Sequence, residues 1–174
     1  MTYWRMQLHP SKQTSGSAVE YTVTSLAAHV IGLDFATDVG DLSRVLARDL
    51  RKGDRPLRAF AATGGMTAGD HVLVFTHNFP FALCRVAGEY KYVRDPRHVW
   101  FRHSREVDEV WFYGDWIKEP RRWKKIEMYK AFERLDKPET ASYQLIDEWL
   151  SARPRQRKRQ LKRNAKPGAA GAKP

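Results

Sequence analysis

The chain has a single cysteine, Cys84, in 174 residues. It therefore has no route to an internal disulfide or to a cysteine-based zinc cluster, and Cys84, set in an apolar run, reads as a small core residue. Long apolar runs are missing too: stretches such as Val72 to Phe75 and Phe79 to Cys84 fall far short of the roughly 20 residues that span a bilayer. In Met1 to Pro10, Arg5 and His9 interrupt what would have to be the continuous apolar region of a secretory signal. The protein is thus expected to work inside the cell, in the cytoplasm, nucleoid or nucleus. No Gly-x-x-x-x-Gly-Lys-Ser/Thr segment occurs, and Gly64-Gly65 alone is a loop, so nucleotide-triphosphate hydrolysis has no support. The six histidines, His9, His29, His71, His77, His98 and His103, show no metal-site spacing. Neither a metal nor a cofactor is expected.

Acidic residues are absent from Arg153 onward, where nine of the 31 basic residues lie. Without that stretch the chain carries 22 basic against 20 acidic residues, so the net charge of +11 is mainly a property of the C-terminus. The division predicts one domain over residues 1–152 and a disordered basic tail over 153–174, since one core usually organises roughly 100–200 residues. Within the tail, Arg155, Arg157, Lys158, Arg159, Lys162 and Arg163 are the expected phosphate contacts, which supply salt-sensitive affinity and no sequence information. An extension that only solubilises is the plainer alternative.

The alternation of Trp4, Met6 and Leu8 with Arg5 and Gln7 predicts a strand over Tyr3 to Leu8. Ser17-Ala18-Val19-Glu20 has the form of a capping box. Val19, Val23, Leu26, Ala27 and Val30 then recur at helical spacing, with Gly32 as the stop. A second helix is expected from Asp41, with Leu42, Val45, Leu46 and Leu50 on one face and Gly53 after it. Strands follow over His71 to His77 and Phe81 to Val93, joined by Asn78-Phe79-Pro80 because proline interrupts a ladder. A hairpin around Asp108-Glu109 is expected to join Val99–Val107 to Val110–Tyr113, with a strand over Trp123 to Tyr129 and a helix over Ala141 to Leu150. These elements predict an α+β fold: a small curved or closed β-barrel with helices inserted after the first strand and a C-terminal helix.

Aromatic residues gather near the predicted strand ends and loops: Trp4, Phe35, Phe79, Phe81, Trp100, Phe101, Trp111, Phe112, Tyr113 and Trp116. Their faces suit a nucleobase, with stacking contributing roughly 1–3 kcal/mol per base. A strand buries alternate residues, so about half must be core; for Phe79 and Trp4 both readings stand. Asp34, inside the apolar stretch Ile31 to Phe35, could accept a hydrogen bond from the exocyclic amine of cytosine or adenine, or could cap a turn after Gly32. Asp70 with Glu89 and Lys91 matches the Asp…Glu-x-Lys spacing of metal-dependent nucleases. Asp70 is equally explained by the turn before a strand, and Glu89 and Lys91 by a solvated strand face.

Met66-Thr67-Ala68-Gly69-Asp70-His71-Val72-Leu73-Val74-Phe75-Thr76-His77 resembles the "Met-x-x-Gly-Asp-x-x-x-x-Phe-Tyr-His" segment of EVE domains, within the PUA-like superfamily. Tyr3-Trp4 followed by Pro10-Ser11 is similar to that family's first strand, and Cys84 to Val93 to its next one. The resemblance implies a β-barrel whose pocket receives a flipped, often modified base of DNA or RNA. It implies Trp4 as a pocket wall, Ser11 as a polar pocket residue, and His77 and Asn78 at the rim. Where the family has a Trp-x-Gly-Val-Arg-Asn-like stretch this chain has Ile31-Gly32-Leu33-Asp34-Phe35, making Asp34 and Phe35 the replacement elements. With Phe79, Phe81 and Trp100 these residues form the expected base pocket. The expected function is a non-catalytic reader of a base in nucleic acid, DNA before RNA, working with a nuclease on another chain. A nuclease using Asp70, Glu89 and Lys91 and a protein-interaction scaffold are the alternatives.

Overall fold

The computed structural model describes residues 1–35, 37–44, 55–61, 65–94, 97–113 and 125–164, with side chains described to 152. In chain order the elements are β1 (Tyr3–Gln7), α1 (Ser15–Ala27), β2 (Val30–Leu33), α2 (Arg55–Ala61), β3 (His71–Thr76), β4 (Phe79–Val86), β5 (Lys91–Tyr92), β6 (His103–Phe112), β7 (Phe132–Arg134) and α3 (Ala141–Asn164). The strands form one mixed sheet in the order β2-β6-β4-β3-β1-β7, with β5 also on β6. The sheet is strongly curled into a half-barrel, and with its three helices it makes the fold α+β.

β1 and β3 are parallel, Tyr3 opposite His71 and Gln7 opposite Phe75, and parallel neighbours require a long crossover. That crossover holds α1, β2 and α2, as expected of helices inserted after the first strand. Alternation divides the buried side chains between two faces. Trp4, Met6, Val72, Val74, Ala82 and Cys84 fill the concave side, whereas Tyr3, Leu73, Phe75 and Leu83 meet Ile146, Trp149 and Leu150 of α3 on the convex side.

Several local expectations are corrected. α1 is capped by Thr14, whose Oγ1 accepts from the Ser17 amide at 3.3 Å, and it buries Ala18, Thr22, Ser25 and Leu26 while Val23 faces outward. Small residues let the helix lie close to β2 and β3, and the buried hydroxyls are satisfied: Thr22 Oγ1 donates to the Ala18 and Leu8 carbonyls and Ser25 Oγ to that of Tyr21. The helix ends at Ala27 with Ala28 as its cap, and His29 just beyond is left-handed with φ 55°. Gly32 lies instead in β2, where an added Cβ would come within 2.1 Å of the Phe101 ring.

Phe79 and Pro80 belong to β4, and the connection is only His77-Asn78. The ladder shifts register there, with Pro80 opposite Phe75 and Ala82 opposite Val74, so proline is accommodated beside a bulge. Asp108-Glu109 is no turn: β6 runs straight through it, and a register shift opposite Arg85/Val86 absorbs the extra residue. The segment 125–129 is not a strand, while β7 and α2 were not foreseen. The backbone of α3 is helical from Ala141 to Asn164. Residues 45–54 of the expected second helix, Trp116, Trp123 and 165–174 lie outside the described residues. No helix among the described residues is long and apolar enough to cross a membrane.

Candidate functional site

The strand registers send the expected pocket residues to opposite ends of the half-barrel. β2 and the start of β6 bring Asp34, Phe35 and Trp100 to one end, beside the start of β1 and β3. The end of β3, the start of β4 and the end of β6 bring His77, Asn78, Phe79 and Phe81 to the other, together with Phe112.

At the first end the polar groups satisfy one another. Asp34 accepts from Arg102 Nε at 2.8 Å and Nη2 at 2.6 Å, from the Arg102 amide at 3.2 Å and from the Phe35 amide at 2.8 Å. Arg102 also pairs with Asp38 at 3.1 Å and donates to the Phe35 carbonyl at 3.0 Å. Asp34 is therefore committed within the chain and does not present a free carboxylate edge to a base. Paired with Asp34 first of all, the Arg102 guanidinium is held above its ordinary pKa. Asp38, which accepts from the Gly40 amide and from the Tyr92 hydroxyl at 2.8 Å, is held below the usual carboxylate range. Tyr90 OH shares a hydrogen bond of 2.8 Å with His103 Nδ1 and accepts from the Leu42 amide. Burial pushes the Tyr90 phenol up to about 12 and the His103 imidazole down. Phe35 packs half-buried against the concave core, and Trp100 stands edge-on to Phe101 at 5.4 Å.

Trp4 is a core residue rather than a pocket wall. It is 2% exposed, stacks on Phe132 at 5.0 Å and donates from Nε1 to Asp70 at 3.0 Å, because the concave face of β1 is covered from β7. Asp70 is buried and also accepts from the Thr2 amide at 2.7 Å and the Thr67 amide at 3.0 Å. Its oxygens close the Gly-Asp turn, Lys91 pairs with Glu106, and Glu89 is exposed. Among the described residues no three His, Cys, Asp or Glu side chains are grouped to hold a metal ion.

At the second end the aromatic rings stay accessible. Phe79 is 39% and Phe112 53% exposed. Their cross-strand partners, Thr76 and Ala82, alternate onto the concave face. Phe81, displaced by the bulge, is buried beneath them and meets Phe112 edge-on at 5.8 Å. Asn78 accepts the Met128 amide on its side-chain oxygen at 3.0 Å and the Ile126 amide on its carbonyl at 2.8 Å, so the β3–β4 turn holds the segment that carries Tyr129, which is 88% exposed. His77 begins the turn with φ 52° and lies 4.7 Å, ring to ring, from His9. Ser11 is exposed in the turn after Pro10.

α3 leads to this same end. Tyr143 packs on Tyr3 near the start of β1, and Trp149 packs on Tyr113, just beyond β6, at 5.0 Å. From Ser151 to Asn164 the helix continues for about 20 Å at 1.5 Å per residue. That stretch contains the positions of Arg155, Arg157, Lys158, Arg159, Lys162 and Arg163, whose side chains lie outside the described ones. Phe112 and Tyr129 are additions to the expected site. Only cross-strand pairing reveals Phe112, since nothing in its neighbours in sequence separates it from Phe101. A search against family models, curated proteins and solved structures finds no match to the chain.

Proposed function

We propose that the protein is a non-catalytic nucleic-acid-binding module that stacks an unpaired or flipped base on the aromatic end of the half-barrel. The observation that carries this reading is the exposure of Phe79 and Phe112 on the concave face at the end from which the basic part of α3 departs. Each stacked base would contribute roughly 1–3 kcal/mol, and cations on the helix would add salt-dependent affinity without reading sequence. The curled sheet and the Met66–His77 segment support an EVE or PUA-like assignment. Asp34 and Trp4 drop out of the contact surface, which passes to Phe79, Phe112, His77 and Tyr129. DNA is the preferred polymer, base modification the feature read, the inside of the cell the setting, and a nuclease on another chain the expected associate.

The test is a titration of the full chain with single-stranded and duplex oligonucleotides, with and without modified cytosine or adenine, in magnesium. Binding weakened about 5- to 150-fold by Phe79→Ala or Phe112→Ala, at unchanged salt slope, supports the reading. Binding that survives both substitutions and disappears on removing residues 153–174 leaves only electrostatic attraction and overturns it. Magnesium-dependent cleavage lost in Glu89→Gln or Lys91→Ala, both surface changes, overturns it in favour of a nuclease.

A further inference from the structure

His9 lies in the connection between β1 and α1, is 6% exposed, and has both ring nitrogens engaged. Nδ1 faces the Pro10 carbonyl at 2.8 Å, and Nε2 faces the His77 amide at 3.1 Å. A carbonyl only accepts and an amide N–H only donates. The geometry therefore assigns one state: a neutral ring, protonated on Nδ1 and bare on Nε2. The residue it holds, His77, takes the left-handed conformation as the first residue of a two-residue hairpin, a place that favours glycine. Such a backbone persists where its surroundings over-determine it. Here the hydrogen bond to His9 and the ring contact at 4.7 Å supply the restraint. The next residue, Asn78, fixes the amides of Ile126 and Met128, and Phe79 follows.

We propose that neutral His9 is a latch that positions the Phe79 turn, and that protonating it releases the turn. A protonated imidazole carries N–H on both nitrogens, so Nε2–H would oppose the His77 N–H and the bond between them would be lost. The proton comes from solvent, and no covalent bond changes. His77, on the β3–β4 turn, is the titratable ring that faces His9. On the other packed elements Glu20 and Tyr21 of α1 and Glu127, Tyr129 and Lys130 of the segment before β7 are exposed. Burial holds the His9 pKa below its ordinary value, with the nearby His77 adding to the shift and the Pro10 carbonyl opposing it. The latch is thus closed at neutral pH and opens as the medium turns acid. Its effect on a ligand rests on the base-stacking reading; the latch itself does not.

Amide hydrogen exchange of the free, full chain tests the latch, compared at about pH 7.5 and about pH 5 after correction for intrinsic rates. Protection at His77, Ile126 and Met128 should fall together by about tenfold, the equivalent of one ordinary hydrogen bond. His9→Gln keeps an acceptor that does not titrate and should abolish the pH response. His77→Asn, which tolerates the left-handed conformation, should keep it. Equal protection at both pH values, or a response that survives in His9→Gln and vanishes in His77→Asn, overturns the latch. Oligonucleotide affinity in the same buffers tests the ligand reading separately: an exchange response with no affinity change retains the latch and removes its link to base stacking.

Discussion

The two ends of the half-barrel use the same residue types to opposite effect. Around Asp34 the aromatic and charged side chains are spent on each other: Arg102 is shared by Asp34 and Asp38, Tyr92 by Asp38, and Tyr90 by His103 and Leu42. Around Phe79 the His9 ring and Asn78 hold backbone amides, those of His77, Ile126 and Met128, Tyr129 donates to Glu127, and Phe79, Phe112 and Tyr129 stay exposed. A polar–aromatic cluster is therefore no guide to a binding surface until its partners are counted. At the Asp34 end the polar groups are spent on one another, and at the other end the exposed rings offer surface.

Breaking the closed end should cost stability, most of all at Asp70. Asp70→Ala strands the Thr2 and Thr67 amides and the Trp4 indole, and at about 1–3 kcal/mol per stranded donor the loss should exceed about 3 kcal/mol in urea unfolding. Gly32→Ala comes next. Its Cβ would meet the Phe101 ring at 2.1 Å and the His103 carbonyl at 2.5 Å, and overpacking of this kind costs about 1–3 kcal/mol, visible as a lower Tm. Asp34→Asn, which weakens the grip on Arg102 while keeping an acceptor, should cost about 1 kcal/mol in the same unfolding assay. Phe112→Ala should change stability least, by less than about 1 kcal/mol given its exposure, while producing the largest loss of oligonucleotide affinity. If Asp34→Asn weakened binding more than Phe112→Ala in a folded protein, the contrast between the ends would be reversed.

The pH dependence of stability sharpens the same contrast. His9 and His103 are both held below the ordinary histidine value of 6.5, chiefly by burial, so the unfolded chain binds protons more readily than the folded one. Their contribution is present above 6.5 and is lost as the pH falls through 6.5 toward the lower folded values. Tyr90, pushed up to about 12, contributes below its ordinary 10 and loses that contribution as the pH rises from 10 toward 12. Denaturation midpoints should thus decline on both sides of neutrality. Tyr90→Phe should reduce the alkaline part of the decline, to which the buried phenol of Tyr3 also contributes, while the part due to His9 stays.

Much of the fold is legible in the sequence where local pattern and burial agree. β1 and β3 alternate or run apolar as strands should, and the start of α3 follows its apolar spacing. The reading fails where small or polar residues are buried. On α1 the valines suggest one face, but Ala18, Thr22 and Ser25 form the buried one because their size permits close approach and their hydroxyls bond back into the chain. Asp108-Glu109 reads as a turn by composition, yet it is carried through β6 by a bulge. Of the candidate site, His77, Asn78 and Phe79 fall where surface is available. Trp4 does not, and the carboxylate of half-buried Asp34 is occupied, since Asp70 and Arg102 lie 66 and 68 residues away in sequence and only the folded chain brings them into contact.

By itself the sequence determined the mixture of helix and strand, the placing of helices between the first strand and the Gly-Asp strand, and the concentration of positive charge at the C-terminus. These are matters of local periodicity and composition. Tertiary structure alone decided which aromatic rings remain exposed, which carboxylates are already occupied, and that the basic stretch of α3 departs from the aromatic end. Exposure and hydrogen-bond saturation depend on residues distant in sequence, and sheet registers and a helix crossing set those distances.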